Sequence, residues 1–219
     1  MKEEKGFTLV ELLVAVFVAG IVMAGVYSAY YSQQKAYAAQ EQIAEMQQNL
    51  RAAMYFMAKE IRMAGCNPTG GADTAGFQTV GTNSVRFTMD TRGQAATDPP
   101  DGTTTNGNED ITYALGDWNG DGITDLVRDT GGGNELLAEH IDALNFVYLD
   151  VNEAVTADRL SVRSVEITLV ARTGRPDPGY TDTTEYKNMR GTTVLAAQND
   201  RFRRRVSSTH IRCRNMGLQ

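Results

Sequence analysis

Charge is what the first part of this 219-residue chain lacks. Between Phe7 and Tyr31 the single charged side chain is Glu11, and residues 12–27 are all apolar or glycine. From Ser32 to Ala64 there is no proline and no glycine, so nothing in that stretch breaks a helix. Histidine is confined to two isolated positions, His140 and His210, too few and too far apart to build a zinc or catalytic centre. The two cysteines, Cys66 and Cys213, are too widely separated for a C-x-x-C metal knuckle. No G-x-S-x-G, P-loop or H-E-x-x-H pattern occurs, and no nucleophile stands beside a base. The expectation is a chain that is not an enzyme. The formal charge is −6, and residues 201–219 hold six arginines and no acid, which leaves the rest at −12. An acidic balance of that kind argues against general nucleic-acid binding, and no nucleic-acid partner is expected.

What is present begins with the uncharged run itself. About 20 apolar residues are needed for a helix to cross roughly 30 Å of hydrocarbon, and residues 7–31 are long enough. The run does not read as an ordinary secretory signal: the six residues before it are short and polar, and no A-x-A site follows it. Glu11 is the anomaly, a carboxylate inside an apolar helix, which carries an insertion penalty unless it is paired or protonated and is for that reason a functional candidate.

Helical composition continues past the apolar run. Ile43, Met46, Leu50, Ala53, Met54, Met57, Ile61 and Ala64 recur at steps of three and four, which predicts a helix from about residue 8 to residue 64 with one stripe facing a core. The methionines on that stripe also suit an adaptable binding groove, but a core-facing stripe is the simpler reading. Gly65 followed by Pro68 ends the helix. Beyond it the texture changes to strands and polar loops. Strands are expected at residues 84–89, 110–115, 123–128, 144–149, 162–172 and 204–214, separated by loops at 67–83, 90–109, 129–135 and 173–192. The stretch from Leu136 to His140 is expected as a turn or short helix. One long helix followed by strands predicts an α+β fold with an antiparallel sheet packed on the helix.

A second motif lies in a loop. Asp117-Trp118-Asn119-Gly120-Asp121-Gly122-Ile123-Thr124-Asp125 spaces oxygen donors as D-x-N-x-D-G-x-x-D. Side chains of Asp117, Asn119, Asp121 and Asp125, with the carbonyl of Ile123, form a set suited to Ca²⁺. The place where an EF-hand carries a bidentate Glu is occupied by Arg128, so a further ligand would have to come from Asp129 or water. A tight hairpin explains the Asn-Gly and Asp-Gly pairs equally well, and both readings stay open. The arginine cluster Arg201, Arg203, Arg204 and Arg205 reads as an ion-paired or solvated strand edge before it reads as a phosphate grip.

Gly6-Phe7-Thr8-Leu9-Val10-Glu11-Leu12-Leu13 resembles the class III signal of type IV pilins and pseudopilins. The later segments Val165 to Thr173 and Arg203 to Asn215 look like minor pilins of the PilW type, with the J-type minor pseudopilins of type II secretion as the nearest rival. The resemblance implies a prepilin leader at residues 1–6, an assembly and transmembrane helix at 7–31, its continuation into the head at 32–65, and a β-rich head at 66–219. It also implies cleavage by prepilin peptidase between Gly6 and Phe7, N-methylation of Phe7, and a role for Glu11 in subunit assembly. The physical logic is that Glu11 of one subunit pairs with the Phe7 amine of a neighbour, each offsetting the other's desolvation. The implied partners are other minor pilins and the major pilin, after residence in the inner membrane with the head in the periplasm. A domain placed there lies where disulfides form, and a Cys66–Cys213 bridge would tie the last strand to the helix end.

Overall fold

The computed structural model describes residues 6–72 and 74–217. Residues 1–5 of the leader expected at 1–6 lie outside the described residues. The chain divides into two compact units, residues 1–42 and 43–219, and the boundary falls within one helix.

That helix, α1, runs from Leu9 to Ile61. In the first unit every described side chain but Ala39 and Gln42 is exposed. In the second unit the predicted stripe is buried: Met46, Leu50, Ala53, Met54, Met57 and Ile61 all turn inward. The helix ends as expected, with tightened backbone bonds from Met63 N to Glu60 O (2.9 Å) and from Cys66 N to Met63 O (2.9 Å). Gly65 takes a positive φ of 76°, and a β-carbon there would meet Met216 Sδ at 2.8 Å, so the position is closed to larger residues twice over.

The head holds more strands than its sequence suggests. β1 (Gly76–Val80), β2 (Ser84–Thr88), β3 (Asp110–Gly116), β4 (Asp125–Asp129) and β5 (Asn134–Ala138) form a five-stranded antiparallel meander. β6 (Ile141–Leu149), β7 (Ser164–Arg172) and β10 (Arg204–Arg212) form a separate three-stranded sheet in the order β10-β7-β6. β8 (Tyr186–Lys187) and β9 (Thr193–Leu195) make a small hairpin. The expectation of a single sheet is therefore corrected to two sheets and a hairpin. β1 and β5, read as loop and as turn or helix, are strands because each is paired along a longer, clearly patterned neighbour, which supplies the backbone partners their own sequence does not advertise.

Both sheets share one core with the head part of α1. Val85, Phe87, Ile111, Tyr113 and Leu126 contribute from the meander, and Phe146, Val165, Ile167, Leu169 and Ile211 from the second sheet. Phe77 meets Tyr148 edge-on with ring centroids 5.9 Å apart, which joins the two sheets. Ala143, Val170 and Tyr186 form a second, smaller cluster where the β8–β9 hairpin covers the other face of the three-stranded sheet.

Candidate functional site

At the start of α1 the structure gives Glu11 a local role that its position alone does not announce. Thr8 N and Thr8 Oγ1 each donate to Glu11 Oε2 at 2.8 Å, and Glu11 N donates to Thr8 Oγ1 at 3.3 Å. This is a capping box: Thr8 stands just before the first helical residue and Glu11 three positions on. The T-x-x-E spacing was readable in the sequence, and Thr8 is the residue that attention to Glu11 alone passes over. Gly6 and Phe7 precede the helix, and Phe7 is 92% exposed. Leu9, Val10, Leu12, Leu13, Val16, Phe17 and Ile21 follow as an exposed apolar surface. Among the described residues α1 is the one helix long and apolar enough to cross a membrane.

The loop from Asp117 to Asp125 joins β3 to β4, and its geometry is that of a hydrogen-bonded turn. Asp117 accepts from Gly120 N (2.8 Å), Asp121 N (3.1 Å) and Gly122 N (2.9 Å). Asp121 accepts from Ile123 N (2.8 Å) and from Asn119 Nδ2 (3.1 Å). Gly120 and Gly122 take positive φ values of 76° and 79°, which the tight path requires. Asp125 does not join them. It is buried at the start of β4, where Oδ1 accepts from His140 N at 3.0 Å and holds the turn between β5 and β6. Among the described residues no group of three or more His, Cys, Asp or Glu side chains gathers to hold a metal. The loop's own hydrogen bonds bring together Asp117, Asn119 and Asp121, one carboxylate fewer than the set expected for Ca²⁺.

Arg128, at the position where an EF-hand would carry its last ligand, serves the helix instead. Its guanidinium meets Glu60 of α1 through two bonds, Nε to Oε2 at 3.1 Å and Nη2 to Oε1 at 2.9 Å. Tyr113 Oη donates to the same carboxylate. Burial and the neighbouring Glu60 charge push the Tyr113 hydroxyl far above its usual pKa, so it stays a donor. This trio fastens the head part of α1 to the meander.

A second polar centre fastens the C-terminal part of the head. Arg204, with a side chain only 3% exposed, reaches Asp142 (2.6 Å), Asp182 (3.0 Å) and Asp200 (2.6 Å). Burial alone would lower its pKa, but the three carboxylates outweigh that and raise it. Asp182 is fully buried, and its carboxyl is pulled below the ordinary range: desolvation pushes it up, while Thr184 N–H, Arg204 and Tyr186 Oη together hold it down. Arg203 pairs with Asp177 at 2.8 Å and lies over the Tyr180 ring at 4.3 Å. The arginine cluster thus divides: Arg203 and Arg204 are structural anchors, and Arg201 and Arg205 are exposed.

Both cysteines are free thiols in the structure, where the sequence led us to expect a bridge. Cys213 falls just past β10, in the core, and burial pushes its thiol up to about 12. Cys66 is half-buried, and its thiol is also raised, by burial and then by Asp90. The join the bridge was expected to provide is made without it. Arg214 N donates to Arg62 O (3.4 Å), Asn215 Nδ2 donates to Met63 O (3.3 Å), and Met216 packs on Gly65.

Comparison with known proteins bears on both ends of the chain. Residues 1–27 match the prokaryotic N-terminal methylation motif, a range that includes Gly6, Phe7, Thr8 and Glu11. Residues 128–215 match Type IV Pilus-assembly protein W, a region that begins at Arg128 and includes β6, β7, β10 and the Arg204 centre. A type IV-like pilin from Thermus thermophilus is similar in structure, at a TM-score of 0.47 and 14% identity, over 78% of this chain and 97% of that one. No curated protein matches the chain. With a methylation motif at its start, a PilW-type region in its head, and one long N-terminal helix packed on antiparallel sheets, the chain is a type IV pilin-like protein.

Proposed function

We propose that this protein is a minor pilin of a type IV pilus, a structural subunit that primes or supports filament assembly. In this reading prepilin peptidase cuts after Gly6, and the new terminal amine on Phe7 is methylated. The apolar half of α1 holds the precursor in the inner membrane with its head in the periplasm, and then enters the filament among other minor pilins and the major pilin. The observation that carries the proposal is the capped start of α1 within the methylation motif, followed by apolar side chains that stand exposed among the described residues. An uncovered surface of that kind needs lipid or other subunits around it. The PilW-type match favours a pilus over the pseudopilus of a secretion system, the rival reading.

The test has two parts. Gly6→Ala is expected to leave the precursor at full length by mass spectrometry, and loss of the gene is expected to remove or thin surface pili. A processed Gly6→Ala protein, or normal pili without the gene, would sink the proposal. Calcium at the Asp117–Asp121 loop is kept as a subsidiary proposal. Its measure is a melting temperature that rises with added Ca²⁺ in the wild type and not in Asp121→Ala.

A further inference from the structure

β10 is an edge strand whose outer side is open. Its nine residues pair with β7 from Arg204↔Arg172 to Arg212↔Ser164 without a register shift. Just beyond that ladder Thr173 N donates to Arg203 O, and Arg172 N donates to His140 O on the β6 side. Antiparallel alternation then directs the odd-numbered residues of β10 at β7, and turns the N–H and C=O of Val206, Ser208 and His210 outward. Among the described residues no hydrogen bond engages those outward groups. The opposite edge of the same sheet is different: Phe146 N donates to Thr82 O at 2.8 Å, so β6 is partly covered. The edges of the meander, β1 and β5, are five residues each and carry register shifts, the usual devices that blunt an edge. β10 has no bulge and no proline. Its central side chains, Ser207, Ser208 and Thr209, are small.

Charge decides what fits there. Arg205 precedes the open stretch, Arg212 and Arg214 follow it, and all three side chains are exposed. Among the described residues none of the three has a carboxylate within ion-pair distance, whereas Arg203 and Arg204 on the same strand end are fully paired. His210 faces Glu153 at 3.6 Å through its side chain and leaves its backbone free. A second copy of the chain is a poor occupant. Residues 201–219 hold no acid, so β10 paired with itself would bring further arginines and no carboxylate to Arg205, Arg212 and Arg214.

We propose that β10 is a docking edge for an extended, acidic segment of a partner protein, which adds to the sheet as a fourth strand. Backbone bonds to Val206, Ser208 and His210 supply the pairing, and Arg205, Arg212 and Arg214 select carboxylates near the ends of the added strand.

The test uses the full chain in detergent micelles and a capped seven-residue peptide of alternating Val and Glu, with a Lys-for-Glu peptide as its counterpart. Amide hydrogen exchange reads the edge directly. The amides of Val206, Ser208 and His210 are expected to exchange fast in the chain alone and to slow about tenfold or more with the acidic peptide but not with the basic one. Ser208→Pro removes an outward N–H that no ladder bond uses, so it is expected to keep the melting temperature and lose the protection. If Ser208→Pro does not fold, the triple variant Arg205→Glu, Arg212→Glu, Arg214→Glu decides, with protection expected from the basic peptide instead. Slow exchange at these amides without peptide, no protection by the acidic peptide, or equal protection by both peptides would overturn the proposal.

Discussion

The two halves of α1 are built from one continuous helix and bury opposite amounts of themselves. In the first unit Val14, Phe17 and Ile21 stand exposed although they are as apolar as anything in the core. In the second unit Met46, Leu50, Met57 and Ile61 are buried against two sheets. The difference lies in the arrangement of the apolar residues as well as in their number. Where they ring the helix, no single face can be satisfied by one domain, and the helix waits for a surrounding medium or for neighbours. Where they form a stripe, with Arg51, Tyr55 and Lys59 on the opposite side, one side is satisfied by the head and the other by water. A helix can therefore serve two environments by changing its pattern without changing its backbone.

The sharpest way to break this contrast is a charge in the buried half. Met57 is fully buried, and Met57→Asp would leave an unpaired carboxylate among Leu, Ile and Phe side chains. The expected loss of head stability is above about 4 kcal/mol, enough to prevent folding of a marginal domain. Val14→Ala, in the exposed half, is expected to leave the head's unfolding midpoint unchanged. Denaturant titration of both variants in micelles, followed by Trp118 fluorescence or circular dichroism, makes the comparison. Equal effects would mean that the two halves do not differ as described.

Next in size is the polar fastening. Arg128→Ala would leave the partly buried Glu60, and the fully buried Tyr113 bonded to it, without their cation. We expect a loss of about 2 kcal/mol, less than for a fully buried pair because Glu60 keeps some access to water. Glu60→Gln, Arg128→Met together should recover part of it, since neither partner is then stranded, and a double-mutant cycle on the melting temperatures would read the coupling.

These two fastenings also mark how far the sequence could be read. The buried stripe from Ile43 to Ala64 was visible because helical periodicity is local. The strongest strands, residues 84–88, 110–116 and 164–172, were visible because they alternate or are continuously apolar. The division into two sheets was not visible, since it depends on which strand pairs with which. The partners of Glu60 and Arg204 lie 68 and up to 62 positions away and are brought together only by that pairing. The Asp117 loop shows the same limit: spacing shows which oxygens are close in sequence, and it does not show that Asp125 turns to His140.

The Arg204 centre predicts an acid limb to stability. Asp200 is held low by Arg204, against desolvation, and Asp182 is also depressed, so both bind protons less readily in the folded head than in the unfolded chain. Their contribution is complete above the ordinary Asp value near 3.8 and is lost as pH falls through the lower folded values. Melting temperatures measured from pH 7 down to about pH 2 should fall mainly below pH 4. Asp200→Asn should start lower at pH 7 and lose less on acidification. An unchanged acid limb in that variant would show that the centre is not its source.

The smallest expected effect on the fold is at Glu11, and it separates the halves most cleanly. Glu11→Ala removes the acceptor for Thr8 N and Thr8 Oγ1 and should fray the first turn of α1. Amide exchange at Thr8 is then expected to speed up several-fold, while the head's melting temperature stays where it was. The cap also bears on the proposed pairing with a neighbour's Phe7 amine. Thr8 engages Glu11 Oε2 through both its bonds, and Oε1 has no hydrogen bond among the described residues. One carboxylate can thus close its own helix and still receive an ammonium from another subunit. Glu11→Gln keeps an oxygen for the cap and removes the charge. If the pairing is real, that variant should retain slow exchange at Thr8 and still fail to enter filaments. If it assembles normally, capping is the whole of what Glu11 does.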